Sequence, residues 1–266
     1  LNIEFDENGN IKKNIEASGI IKSGKVKLLG KNKLEKINFS FNIKEQITQL
    51  EKINLTYNEL DLFFKKLIIK NENNEFHING EINNKNFLIN KENIDKLLNK
   101  NYLNIKKINL SSNNIFSFKV TKKFKLKDFK LNSEIKLNEI LLNSNFKLKS
   151  FFPKFKQEIT FKDHKLNLIY NKNKINIKGE GDIFLQESTD KIIYSIDQNN
   201  KDFNFNTTFE INDNPFLLSF LNYEKSKNNK AKIIIDGTKF QNNTINIKSA
   251  SLIEGNNNIE VKNLIL

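Results

Sequence analysis

Alternation of apolar and polar residues with a period of two is the feature that most constrains this chain. The clearest examples are residues 37–43 and 203–211, where Ile or Phe alternates with Asn, Ser or Glu. Successive side chains of a β-strand point to opposite faces, so this pattern predicts half-buried strands with one apolar and one polar face. We find about a dozen such segments along the chain.

Asparagine-rich turns separate these segments. Examples are residues 71–74, 83–84, 171–173, 199–200 and 242–243. Asn tolerates the left-handed backbone that tight hairpins require, and it replaces Gly in a chain with only 9 Gly and 48 Asn. Short turns between strands predict antiparallel neighbours and a meandering sheet.

Two segments depart from the alternation. Residues 91–101 carry Ile94, Leu97 and Leu98 at helical spacing behind Asn90, and residues 214–223 start with Asn214 and Pro215. Asn favours the N-cap position and Pro the first helical turn, so both segments are predicted as short helices. The predicted fold class is therefore mainly β: a long, curled, mostly antiparallel sheet with two short helices, continuous over residues 1–266.

The composition excludes several functional classes. The net charge is +13, but Arg is absent and the Lys are spread evenly, whereas nucleic-acid binders concentrate basic groups and use Arg for bidentate contacts. We therefore expect no nucleic-acid partner.

Residue types that are missing give further limits. The chain lacks Cys, which excludes disulfides and thiolate sites. No apolar run exceeds three residues, so no segment of this sequence is predicted as a transmembrane helix. The chain also lacks Met, so we expect it to be an internal fragment of a longer protein.

Catalytic chemistry finds little support in the sequence. His77 and His164 are the only histidines, and a lone His at a strand end is expected at the surface. Glu180 and Asp182 next to two glycines resemble a calcium site only superficially, and a charged strand edge explains them better. No Gly-rich phosphate loop or zinc motif occurs. We expect no catalytic residue, no metal, no cofactor and no enzyme activity.

The order and spacing of the predicted strands and turns resemble those of a known protein family. Residues 39–98, FSFNIKEQITQLEKINLTYNELDLFFKKLIIKNENNEFHINGEINNKNFLINKENIDKLL, resemble the repeat of AsmA-like proteins of the YhdP and TamB type. Residues 212–264 look like a helix-then-strands unit of the same proteins. Gly80, Gly179 and Gly237 stand at strand ends, as is typical of that repeat, while Asn fills other such positions.

The resemblance implies a function. Proteins of this family are anchored in the inner membrane of Gram-negative bacteria, cross the periplasm as an apolar β-groove and are implicated in moving phospholipid toward the outer membrane. For this chain, the resemblance implies a phospholipid partner, a periplasmic location and a membrane anchor outside residues 1–266. The lipid species and the direction of transport stay open.

The apolar side of the alternation supplies the candidate lipid-binding residues. We predict that one groove is lined by Ile37, Phe39, Phe41, Ile43, Phe76, Ile78, Ile175, Ile177, Phe203, Phe205, Phe209, Ile245 and Ile247. The alternative is a closed structural or adhesive β-sandwich or solenoid without ligand, in which the apolar face packs against protein. The sequence does not separate the two, because both require the same period of two.

Overall fold

A computed structural model describes residues 6–9, 16–27, 33–57, 60–97, 104–199, 201–226 and 228–266. The fold is mainly β, with 75% of residues in strands. Fourteen strands form one antiparallel sheet in the order of a meander, and a further pair forms a separate two-stranded sheet. This confirms the predicted fold class at the level of a mainly antiparallel β protein.

The strands are long where the alternation is long. Their bounds are β1 (Glu16–Lys27), β2 (Lys33–Lys44), β3 (Ile47–Tyr57), β4 (Leu60–Glu72), β5 (Glu75–Asn90), β6 (Asn104–Thr121), β7 (Leu126–Asn143), β8 (Glu158–Asn171), β9 (Lys174–Phe184), β10 (Asp190–Asn199), β11 (Asp202–Ile211), β12 (Leu217–Leu218), β13 (Tyr223–Glu224), β14 (Ala231–Lys239), β15 (Ile245–Glu254) and β16 (Asn257–Ile265). Strands β12 and β13 form the small sheet.

Two compact units divide the chain. The first comprises Leu1–Lys85 and Ser112–Ser133, and the second comprises Asn86–Ser111 and Glu134–Leu266. Within each unit the sheet is not strongly curled, so the expected curl is wrong. An antiparallel sheet with one solvated face has no need to close on itself. The single continuous segment over residues 1–266 stays a prediction.

The first predicted helix is confirmed where it is described. Helix α1 (Lys91–Leu97) begins after Asn90, whose side-chain Oδ1 accepts a hydrogen bond from the Asn93 amide at 3.0 Å. This is the N-cap that the sequence predicted. Ile94 is buried, and residues 98–101 lie outside the described residues.

The second predicted helix, at residues 214–223, is wrong. The segment contains β12, a single 3-10 turn (Ser219–Leu221) and β13. Its polar groups bond to other segments. The Asn214 side-chain Nδ2 donates to the Ser188 carbonyl and the Asp190 carboxylate, each at 2.7 Å, and the Leu217 backbone amide donates to the Phe151 carbonyl at 2.9 Å. Tertiary hydrogen bonds replace those of a helix.

The predicted turn at residues 83–84 is also wrong, because both residues lie inside β5. The Asn84 side chain donates to the Ser112 hydroxyl at 3.4 Å, and the Asn114 side chain donates to the Ile82 carbonyl at 3.2 Å. Asparagine here bonds across strands instead of reversing the chain. The predicted turns at residues 71–74, 171–173 and 242–243 fit the prediction, since Asn73, Asn74, Asn173 and Asn243 have a positive φ. The predicted turn at residues 199–200 lies partly outside the described residues.

Candidate functional site

Strand register in the second unit builds an apolar face from rows of side chains that run across seven strands. Residues paired directly in an antiparallel sheet point to the same face. One row, called the central row here, consists of Leu168, Ile177, Ile196, Phe205, Gly237, Ile247 and Leu264. The neighbouring row consists of Leu166, Gly179, Tyr194, Thr207, Ile235, Ala250 and Val261.

The opposite face of the same strands is charged. One of its rows alternates in sign: Lys162, Asp182, Lys191, Glu210 and Lys232. Lys232 Nζ lies 3.0 Å from Glu210 Oε1. Opposite charges on neighbouring strands stabilise one register, and a slip by one residue would exchange the two faces. Asp182, considered above for calcium, belongs to this ladder.

One end of the apolar face is covered by the chain itself. Residues Phe152, Phe155 and Phe216, on the segments before β8 and after β11, pack with Ile211, which is fully buried. The Phe152 ring centroid lies 5.8 Å from that of Phe209 and 5.2 Å from that of Phe216. Phe209, predicted to bind lipid, is thus in contact with protein.

Hydrogen bonds of polar side chains hold in place the loops that cover this end of the apolar face. The fully buried Asp190 accepts hydrogen bonds from the Asn212 amide at 3.0 Å and from the Asn214 side chain at 2.7 Å. Burial raises the pKa of the Asp190 carboxyl above its ordinary value despite these hydrogen bonds. The Tyr223 hydroxyl donates to the Glu254 carboxylate at 2.8 Å. These contacts fix the loops over the covered end.

The central row lies beyond this cover. Ile177, Ile196 and Phe205 are only half-buried, although each is apolar and lies in the middle of the sheet. Leu264 at the end of the row is 43% exposed. Central strands of a sheet normally bury their apolar face against a second layer. Here the cover formed by the described residues leaves the central row accessible.

Aromatic rings contact glycines of the strands on this face, and Gly179 lies at the centre of β9, so the expectation that it stands at a strand end is wrong. An added Cβ on Gly179 would lie 2.6 Å from the Tyr194 ring, and one on Gly237 would lie 2.7 Å from the Phe205 ring. Burial raises the pKa of the Tyr194 phenol. Glycine opposite an aromatic residue lets the ring cover the backbone of the neighbouring strand.

His164 is buried instead of lying at the surface, so the sequence interpretation is wrong here. Asp163 has a φ of 51°, and the register between β8 and β9 shifts between Lys162 and Lys165. This bulge turns the imidazole onto Gly181, where it contacts Phe161 and Tyr194 and its Nε2 lies 2.9 Å from the Asp182 carbonyl oxygen. These contacts make His164 part of the packing of the apolar face.

The first unit has its own apolar face, which is rich in Phe. The row Gly19, Phe41, Leu50, Leu67 and Gly80 crosses β1 to β5. Ring centroids of Phe116 and Phe118 lie 5.9 Å apart and stack, while Phe64 meets Phe116 edge to face at 6.4 Å. The Phe41 ring lies over Gly19 and the Phe116 ring over Gly80, as in the second unit.

Within each unit, the structure places the predicted lipid-binding residues on one face. In the first unit, Ile43 and Ile78 share a row with Thr48 and Ile69, and Ile37, Phe39 and Phe41 follow on β2. Phe76 lies on β5 two residues before Ile78 and is therefore on the same face.

The second unit gathers the remaining residues. Ile177, Phe205 and Ile247 belong to the central row, and Ile175, Phe203 and Ile245 to the next row toward the hairpin turns, together with Gln198 and Lys239.

Sequence reasoning missed several members of these faces. Tyr194 and Ile196 sit at the centre of the second unit and show the period of two together with Ile192. Ile235 could not be assigned to a face from sequence. Residues 233–235 are all Ile, so no alternation shows which of them point to the apolar face. Phe116 and Phe118 also show the period of two, within residues 116–120. Phe64 lies in the apolar run of residues 62–64, where the alternation gives no parity.

The described residues contain no group of three or more His, Asp or Glu that could hold a metal ion. In that part of the chain no helix is long and apolar enough to cross a membrane. The apolar faces carry mainly aliphatic and aromatic groups, an arrangement that can hold an apolar molecule.

No family model, curated protein or solved structure matches this chain. The resemblance to AsmA-like proteins therefore stays a prediction that rests on the pattern of strands and turns.

Proposed function

We propose that this chain is a non-enzymatic segment that holds phospholipid acyl chains on the apolar faces of its sheet. The accessible central row of the second unit is the observation that carries the proposal. Seven strands spaced by 4.7–4.9 Å extend over roughly 28 Å, which exceeds the roughly 15 Å of one bilayer leaflet. An acyl chain laid along the row, perpendicular to the strands, would remain on apolar groups over its whole length.

The energetics of such contact are favourable. Burial of a methylene contributes about 0.8 kcal/mol, so eight buried methylenes contribute about 6 kcal/mol before the cost of ordering the chain. No dedicated head-group pocket is needed, and the many exposed Lys supply diffuse attraction for phosphate. Selectivity among head groups is accordingly low in this proposal.

The wider setting follows from the AsmA-like resemblance. In this proposal the segment belongs to a periplasmic conduit between the inner and outer membranes, carried by an anchor outside residues 1–266. An open sheet face, and not a curled trough, is the lipid-carrying element. The faces of the two units each supply such a surface.

A closed structural role is the second candidate. The covered end of the second unit favours it, because there Phe152 and Phe216 close the apolar face with the chain's own loops. If another protein layer covered the central row in the same way, the face would be core and not a binding surface.

A binding assay separates these candidates. We expect the purified chain to bind a fluorescent fatty acid, and phosphatidylethanolamine and phosphatidylglycerol to displace it with similar affinity. An absence of saturable fatty-acid binding by folded protein would favour the closed structural role.

A further inference from the structure

The hairpin that joins β6 to β7 has an unusual tip. The Thr121 amide donates to the Lys125 carbonyl at 3.0 Å, and the Phe124 amide donates to the Thr121 carbonyl at 2.8 Å. Residues 122–124 thus form a three-residue loop in which the third position takes the left-handed conformation. That position is Phe124, with a φ of 56°.

A second hairpin of the same chain shows what this loop normally uses. In the turn between β14 and β15, Phe240 donates to the Thr244 carbonyl at 2.9 Å and Asn243 donates to the Phe240 carbonyl at 3.1 Å. Asn243, with a φ of 66°, occupies the position that Phe124 takes in the first loop. Asn is tolerated in this conformation, whereas a bulky side chain there is strained.

Phe124 also gains little from burial. Its side chain is 88% exposed, and the nearby Leu126 is 59% exposed. A strained and solvated aromatic residue stabilises the hairpin less than the Asn found in the equivalent loop. Backbone strain that the fold does not need points to a role in binding.

Positive charge surrounds these two apolar side chains. Lys122, Lys123 and Lys125 are exposed and have no ion-pair partner among the described residues. Lys127 pairs with Glu75 at 2.9 Å, so it also positions the tip beside the hairpin at residues 72–75 of the same unit.

We propose that the loop formed by residues 121–126 docks on an anionic lipid bilayer. Phe124 and Leu126 enter the boundary between head groups and acyl chains, and Lys122, Lys123 and Lys125 contact lipid phosphates. Exposed aromatic and aliphatic groups ringed by Lys are the chemistry that interfacial segments use. The proposal concerns the first unit's hairpin and does not depend on acyl-chain binding by the sheet faces.

Vesicle flotation tests it with the whole chain. We expect binding to vesicles of equal amounts of phosphatidylcholine and phosphatidylglycerol, and much weaker binding to phosphatidylcholine alone. Phe124→Asn should weaken binding to the anionic vesicles about tenfold, while the melting temperature stays equal or rises because Asn suits the loop. The triple variant K122Q/K123Q/K125Q should weaken it about a hundredfold.

A matched control makes the outcome decisive. Phe220→Asn removes another highly exposed Phe, on the second unit, and should leave vesicle binding unchanged. Equal binding of Phe124→Asn and the unmodified chain, an equal loss in Phe220→Asn, or undiminished binding to neutral vesicles would overturn the proposal. So would capture by polyglutamate together with no vesicle binding, since that result indicates an acidic protein partner.

Discussion

Phe216→Ala is expected to lower the free energy of unfolding of the second unit by about 3 to 5 kcal/mol. Phe216 is 4% exposed and contacts the rings of Phe152 and Tyr223. Truncation would leave a cavity under the loops that cover one end of the apolar face. Because the chain contains no Trp, denaturant unfolding is best followed by circular dichroism.

The matched control is Phe220→Ala, four residues further along the same segment. Phe220 is 75% exposed, so its truncation should change stability by no more than about 0.5 kcal/mol. A helix over residues 214–223 would place both rings on one face and make the two effects similar. Equal losses would therefore contradict the structure of this segment.

Ile196→Asp is expected to reduce fatty-acid affinity at least about tenfold. Ile196 lies inside the central row, directly between Ile177 and Phe205. An acyl chain on this row would have to desolvate a carboxylate without a partner, which is unfavourable by several times RT. The measurement is displacement of a fluorescent fatty acid from the purified variant.

Ser195→Asp provides the control on the adjacent residue. Ser195 points to the opposite face, where its register partners are Lys178 and Asn206, so a carboxylate there gains a cationic neighbour. Its affinity for fatty acid should remain unchanged. The circular dichroism spectra of both variants establish that they are folded, and Ile196→Ala should weaken binding less than Ile196→Asp. Similar losses in Ser195→Asp and Ile196→Asp would contradict a role for the apolar face.

The strands of this protein could be predicted from sequence because period and turn chemistry agree. Phe203, Phe205 and Phe209 fall on one face by parity alone, and Asn at the loop positions supplies the left-handed backbone of the hairpins. Local rules suffice where each strand simply pairs with the next one along the chain.

The failures occur where distant residues override local preference. Asn214 looks like an N-cap, yet its side chain is used by Ser188 and Asp190, more than twenty residues earlier. His164 is buried because a bulge at Asp163 rotates it onto Gly181, and nothing in the local sequence marks that bulge. Phe124 occupies a turn position without the Asn or Gly by which such positions are recognised.

The candidate site could be predicted only in part for the same reason. Parity assigned Ile177, Phe205 and Ile247 to an apolar face, but only the register shows that they share one row. The cover over Phe209 depends on Phe152, which lies more than fifty residues away in sequence. The alternation of apolar and polar residues cannot show which part of an apolar face is covered, because coverage depends on tertiary contacts.

Site-specific photo-crosslinking in cells is the most direct test of lipid carriage by the sheet face. A crosslinker would replace Phe205, in the central row, or Asn206, whose side chain points to the opposite face next to Ser195 and Asp236. The proposal predicts phospholipid adducts at position 205 and few at position 206, identified by mass spectrometry of the purified chain. Equal lipid labelling at both positions, or adducts with protein alone at position 205, would contradict it.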